Sequence, residues 1–75
     1  HITYHLPRSE DVRLRVYALT GQLIRTLEGG IVPAGMHTVV WDGRDEVGQA
    51  VGSGVYLVRL EAGDFVDSKR MILLR

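Results

Sequence analysis

Seventy-five residues, 45% hydrophobic and 24% charged, describe one small globular domain rather than a disordered segment. Nine Lys and Arg against nine Asp and Glu leave no net charge, which removes the electrostatic case for binding nucleic acid or an acidic membrane. The absence of cysteine excludes disulfides and thiolate metal sites, and no apolar run nears the roughly 20 residues that a membrane-spanning helix needs. The chain opens on His1 rather than Met and carries no visible signal peptide, so residues 1–75 read as one module of a longer protein.

His1–Leu6 alternates with period two, placing Ile2, Tyr4 and Leu6 on one face, and Pro7 closes this first strand. Arg8–Asp11 is a polar turn. Val12–Tyr17 is the cleanest strand, with Val12, Leu14 and Val16 inward and Arg13, Arg15 and Tyr17 outward. Gly21 supplies the positive φ of a tight turn, and Leu23–Glu28 returns as a strand that Gly29-Gly30 is expected to stop. Ile31–Gly35 reads as a loop, broken by Pro33 and Gly35. Met36–Trp41 resumes as a strand, with His37, Val39 and Trp41 sharing a face opposite Met36, Thr38 and Val40. Val55–Glu61 is apolar on both faces and is therefore predicted to be central. Ala62-Gly63-Asp64 turns the chain into a last strand, Phe65–Arg75.

Six or seven strands, regular turn signals and no helical periodicity predict an all-β, immunoglobulin-like sandwich of antiparallel strands. Its organising stretch is Trp41–Tyr56, in which acidic residues and four glycines lie between two aromatics, each at a strand edge. Such a stretch crosses from one sheet to the other and pins the core at both ends. The sheet membership of Gln49–Val51 is not fixed by the pattern.

Several residue sets invite a chemical reading. Ser53, His37 and Asp42 make a triad on paper, yet Val51-Gly52-Ser53-Gly54 lacks the spacing of a nucleophile elbow, and a turn serine and strand histidine are preferred. His1, His5 and His37 are metal-ligand types, but a four-residue spacing aligns side chains closely on a helix and not on a strand. Asp42, Asp45 and Glu46 carry oxygen donors suited to Ca²⁺. Their spacing departs from the EF-hand loop, so Asp42 capping a turn beside Gly43 is the favoured reading, and no cofactor is expected. Arg13, Arg15 and Arg25 can form a basic stripe across a sheet, with a solvated mixed-charge face as the default. Lys69, Arg70 and Arg75 flank the apolar last strand and fit the protection of a sheet edge.

The ordered set Ile2-x-Tyr4-x-Leu6-Pro7, Val12-x-Leu14-x-Val16-Tyr17, Thr20-Gly21, then Gly35-x-His37-x-Val39-x-Trp41-Asp42-Gly43-x-Asp45-x-x-Gly48 and Ser53-Gly54-Val55-Tyr56 resembles a known family. It is similar to the Ig-like domain shared by the flagellar hook-capping protein and by C-terminal modules of many exported bacterial proteins, including type IX secretion sorting domains. Lys69-x-Met71 and the apolar end at Leu74-Arg75 resemble its closing strand. The resemblance implies a structural motif of Trp41, Asp42, Gly43, Asp45, Gly48, Gly54 and Tyr56. It also implies a non-catalytic C-terminal module, extracellular or at the cell surface, that serves sorting, attachment or spacing, or a domain of a hook-assembly scaffold. Under the sorting reading, Tyr56, Lys69, Arg70, Leu74 and Arg75 carry a signal read by outer-membrane secretion machinery.

The module's other expected partners are the upstream domains of its own protein, and the isolated domain is expected to be monomeric. A carbohydrate- or ligand-binding accessory module is the competing expectation. It would need exposed rings from a supply limited to Tyr4, Tyr17, Trp41, Tyr56 and Phe65.

Overall fold

In the computed structural model, which describes residues 1–74, six strands follow one another: β1 (Ile2–Leu6), β2 (Glu10–Ala18), β3 (Leu23–Val32), β4 (Gly35–Val39), β5 (Gly54–Ala62) and β6 (Phe65–Leu73). β1 and β4 pair as a two-stranded sheet. The other four form an antiparallel sheet in the order β3-β2-β5-β6. The small sheet lies over the large one, and the apolar alternation of β2 explains the core between them. Val12, Leu14 and Val16 are the most deeply buried large side chains, at 0–1% exposure. Tyr4 and Leu6 from β1 close on them from the opposite sheet, and Val32, Val58 and Ala62 extend the cluster sideways. This is the all-β sandwich expected from the sequence, with six strands and no helix among the described residues.

The interior position of β5, between β2 and β6, follows from its two apolar faces. Its turn into β6 is a two-residue hairpin in which Ala62 faces Phe65 and Gly63 sits at φ 60°. That conformation suits glycine at the first position of a primed turn. Ile2, Val39, Trp41, Tyr56, Leu60 and Met71 pack around the central cluster. Met36 and Val40, on the other face of the β4 segment, are exposed.

Three expectations need correction. Gly29-Gly30 does not stop β3, which runs on through Ile31 to a buried Val32, because β2 continues to pair with it as far as Glu10 opposite Val32. The predicted loop Ile31–Gly35 shrinks to Pro33-Ala34, and β4 ends at Val39, leaving Val40 and Trp41 outside the strand. Arg25 does not share a face with Arg13 and Arg15. Two bulges in β3, one at Leu27 between the pairs Leu14–Glu28 and Arg15–Thr26, the other at Ile24, shift the register and pair Arg25 with inward-facing Val16. The bulges also turn Ile24 and Leu27 against the core.

Candidate functional site

The crossing from β4 to β5 is a hydrogen-bonded loop built around two aspartates. Asp42 Oδ1 accepts from the backbone N–H of Arg44 at 3.1 Å, a local turn that lets the buried Gly43 adopt φ 74°. Asp45 Oδ1 accepts from the N–H groups of Val47 (3.1 Å) and Gln49 (2.9 Å). The Asp45 N–H donates to the Gln49 carbonyl, and Gly48, at φ 83°, donates to the Asp45 carbonyl. Val51 N–H reaches the Gly43 carbonyl at 3.0 Å, and Arg44 and Ala50 form an isolated bridge. Gln49–Val51 thus belongs to a small local hairpin and to neither sheet.

Trp41 and Tyr56 hold the two ends of this loop together. Their rings meet edge to face, with centroids 5.2 Å apart at 73°. Trp41 Nε1–H donates to the Arg44 carbonyl at 2.9 Å, and the Tyr56 hydroxyl donates to the Gly52 carbonyl at 2.6 Å. Both rings are half-buried against the core, with their polar ends turned to the loop backbone. Gly54, at φ 156°, opens β5 two residues before Tyr56.

The loop also docks on β3, the outer strand of the large sheet. Glu46 N–H donates to the Ile24 carbonyl at 3.1 Å, and the Glu46 carboxylate accepts from Thr26 N–H at 2.5 Å. Arg25, turned by the bulges, donates to the Asp45 carbonyl at 3.4 Å and lies 3.7 Å from Asp42. The loop thereby covers the bulged end of an otherwise open sheet edge. Sequence reasoning missed this docking, because only the extra residues Ile24 and Leu27 bring Arg25 round to meet the loop.

The other candidate sets are placed as follows. Asp42, Asp45 and Glu46 direct their carboxylates at separate backbone N–H groups, and among the described residues no three acids or histidines converge as a metal site. His37 donates from Nε2 to the Pro33 carbonyl at 2.7 Å and rests against Tyr4, with ring centroids 5.4 Å apart. It is thus held on β4 while the Asp42 carboxylate faces Arg44 and Arg25. His1 and His5 are exposed.

The five aromatics do not share a platform. Tyr4 is core, Trp41 and Tyr56 seal the loop, Tyr17 lies on the outer face of the large sheet, and Phe65, 58% exposed, sits at the opposite end of β5 and β6. Burial, with the Glu28 carboxylate nearby, pushes the Tyr4 phenol above its ordinary value of 10.0.

Two recesses flank the region that the small sheet leaves uncovered. One, of about 260 Å³, lies between β1 and the Lys69–Met71 segment of β6. The other, of about 620 Å³, is lined by Leu6, Leu60 and Phe65 near Arg8 and Glu10. Arg8 and Glu10 are paired with each other at 2.7 Å.

Among the described residues, those of the sorting expectation are spread over both faces of the large sheet and the end of β6. Lys69 pairs with Val58, which faces the core, whereas Arg70 pairs with Leu57 on the outer face. Tyr56 is half-buried, Leu74 is 84% exposed beyond the end of β6, and Arg75 lies outside the described residues. Four arginines do share the outer face: Arg13 and Arg15 on β2, Arg59 on β5 and Arg70 on β6. Arg59 and Arg70 thus complete the stripe that Arg25 was expected to join.

Comparison with known proteins agrees with this architecture. The chain is 41% identical over 44 residues to the basal-body rod modification protein FlgD of Salmonella typhimurium, and equally to that of Salmonella typhi. In each case the match takes in 59% of this chain and 19% of the relative, so the chain corresponds to about a fifth of those proteins. No solved structure gives a significant match. The family model of the FlgD Ig-like domain matches residues 1–64, the whole sandwich as far as the β5–β6 turn, and the chain belongs to that family.

Proposed function

We propose that this domain is a non-catalytic structural module of an exported bacterial protein, and that it acts as a part of a flagellar hook-capping scaffold. The observation that carries this reading is the 41% identity to the Salmonella basal-body rod modification proteins. The geometry supports a mechanical role in the same direction. The polar groups of the Trp41–Tyr56 loop are used to rigidify the crossing between sheets and to cover a strand edge, which is the work of a scaffold and not of a reaction centre. Its immediate partners are then the upstream domains of its own chain and neighbouring subunits of the assembly. Secretion sorting and surface attachment have weaker support, because the similarity found is to basal-body rod modification proteins.

The test is a chimera. The matching segment of Salmonella FlgD is replaced by this chain, and hook formation and motility are scored beside secretion of the chimera. Motility restored to within a few-fold of the parent supports the scaffold reading. A chimera that is secreted and folded but builds no hooks refutes it.

A further inference from the structure

We infer that the outer face of the four-stranded sheet is a docking surface for a protein segment presenting carboxylates among apolar side chains. The inference rests on the reading of the domain as an assembly module and names what that module would hold. Its starting point is the strand register. Arg15 on β2 and Arg59 on β5 are direct cross-strand partners, an arrangement in which like charges repel. Arg13 lies two residues along β2, and Arg70 on β6 sits diagonally from Arg59. Arg59 is paired with Glu61 at 3.0 Å. Arg15 Nε is buried and, among the described residues, has no hydrogen-bond partner.

A formally neutral chain thus concentrates four guanidiniums on one sheet face against two carboxylates there, Glu61 opposite Arg13 and Asp11 two residues before it, while its loop acids serve backbone N–H groups elsewhere. Protection of sheet edges accounts for Arg70 on β6 but not for Arg13, Arg15 and Arg59. β2 and β5 are the two interior strands of the sheet, where no edge needs guarding. A buried guanidinium N–H without an acceptor, opposed by a second guanidinium, destabilises the free domain, and an arriving carboxylate offsets the like-charge opposition.

The neighbours of the arginines select the kind of anion. Tyr17 and Leu57 are half-buried beside them, and Leu23, Val55 and Ile72 extend the same face at 43%, 37% and 68% exposure. A phosphate backbone or a sulfated glycan would meet the arginines and leave this apolar area wet. A protein segment with acidic and apolar side chains on one face matches both parts.

The test uses the chain itself and a defined probe, the extended peptide VTETYTETV, whose alternate Val, Glu, Tyr, Glu and Val side chains share one face. Its glutamine counterpart VTQTYTQTV is the control. Titration followed by backbone amide NMR should shift resonances of β2, β5 and β6 around Arg15, Arg59 and Arg70, with little change in the Trp41–Tyr56 loop. Binding should weaken at least about tenfold for the glutamine peptide and for the R15Q and R70Q variants.

Arg15→Leu adds an independent readout. It removes the repulsion and the unpaired Nε, so the free chain should gain about 2–5 °C in melting temperature while losing the peptide. The inference is overturned if the peptide does not bind, if glutamate and glutamine peptides bind alike, or if Arg15→Leu lowers the melting temperature. Equal or stronger binding of a short oligonucleotide or of phosphatidylserine vesicles overturns the choice of a protein partner. A chimera that builds hooks although the chain ignores the peptide refutes this inference alone. A chimera that fails although the peptide binds refutes the scaffold reading alone.

Discussion

Trp41 offers the sharpest test of how the crossing loop is tied to the core. Full truncation of a buried Trp costs about 3–5 kcal/mol. Trp41 is half-buried, so only about 2 kcal/mol of that comes from lost apolar packing. Loss of the edge-to-face contact with Tyr56 adds about 0.5–1.5 kcal/mol. Loss of the Nε1 hydrogen bond to the Arg44 carbonyl adds a further increment of about 0.5–1 kcal/mol. Trp41→Ala should therefore destabilise by about 3–4.5 kcal/mol, out of a total of about 4–11 kcal/mol for a 75-residue domain.

Urea denaturation of the two proteins side by side measures this directly. With a slope near 1 kcal/mol per molar, the midpoint falls by about 3–4.5 M. Trp41→Phe keeps a ring against Tyr56 and loses the hydrogen bond, and should cost about 1 kcal/mol. A loss under about 1 kcal/mol for the alanine variant, the range of ordinary surface positions, would refute the reasoning. Trp41 would then be free to serve as a binding ring instead of a fastener.

Asp45→Ala removes the acceptor of two backbone N–H bonds and should cost about 1–2 kcal/mol, as losing a helix cap does, whereas Asp45→Asn keeps an oxygen and should cost less than half of that. Added Ca²⁺ should leave the melting temperature unchanged in both variants and in the parent, and a Ca²⁺-dependent rise that Asp45→Ala abolishes would restore the calcium reading. Gly63→Ala should cost about 1–2 kcal/mol by denaturation, because φ is 60° there and a Cβ would lie 2.6 Å from Glu10 Oε2, which must swing aside; a neutral substitution would mean that the turn relaxes. Tyr4 ionises above 10.0 in the fold, so its contribution is complete below pH 10 and is lost as pH rises through the higher folded value. Tyr4→Phe should flatten the alkaline limb of the stability profile and Glu28→Gln should shift it less, and an unchanged limb in Tyr4→Phe would assign it to another group.

Much of the sandwich is legible because its strands obey period two locally. Val12, Leu14 and Val16 announce the core side of β2, and the two apolar faces of β5 announce an interior strand. What misleads is β3. Gly29-Gly30 looks like a stop in isolation, but β2 supplies pairing through Val32, and tertiary pairing overrides a weak local preference. The bulges at Ile24 and Leu27 leave no mark in a run of residues that alternates acceptably either way, so the facing of Arg25 is inverted. The four-arginine face was half visible. Arg13 and Arg15 are neighbours on one strand, whereas Arg59 and Arg70 join them only through long-range register, which no local pattern encodes.

The two polar regions of the domain differ in a way that bears on their roles. In the loop, each acidic group lies within reach of a backbone N–H or a guanidinium. Asp42 serves Arg44, Asp45 serves Val47 and Gln49, and Glu46 serves Thr26. A network closed in this way rigidifies the chain and leaves little chemistry over for a ligand. On the outer sheet face the balance is reversed. Arg15 opposes Arg59 and keeps a buried Nε without an acceptor, beside apolar side chains that remain exposed. Folded proteins tend to break their own local rules where function requires it. By that criterion the conspicuous glycine- and aspartate-rich stretch is the structural fastener, and the plainer strands β2, β5 and β6 carry the face proposed above for docking.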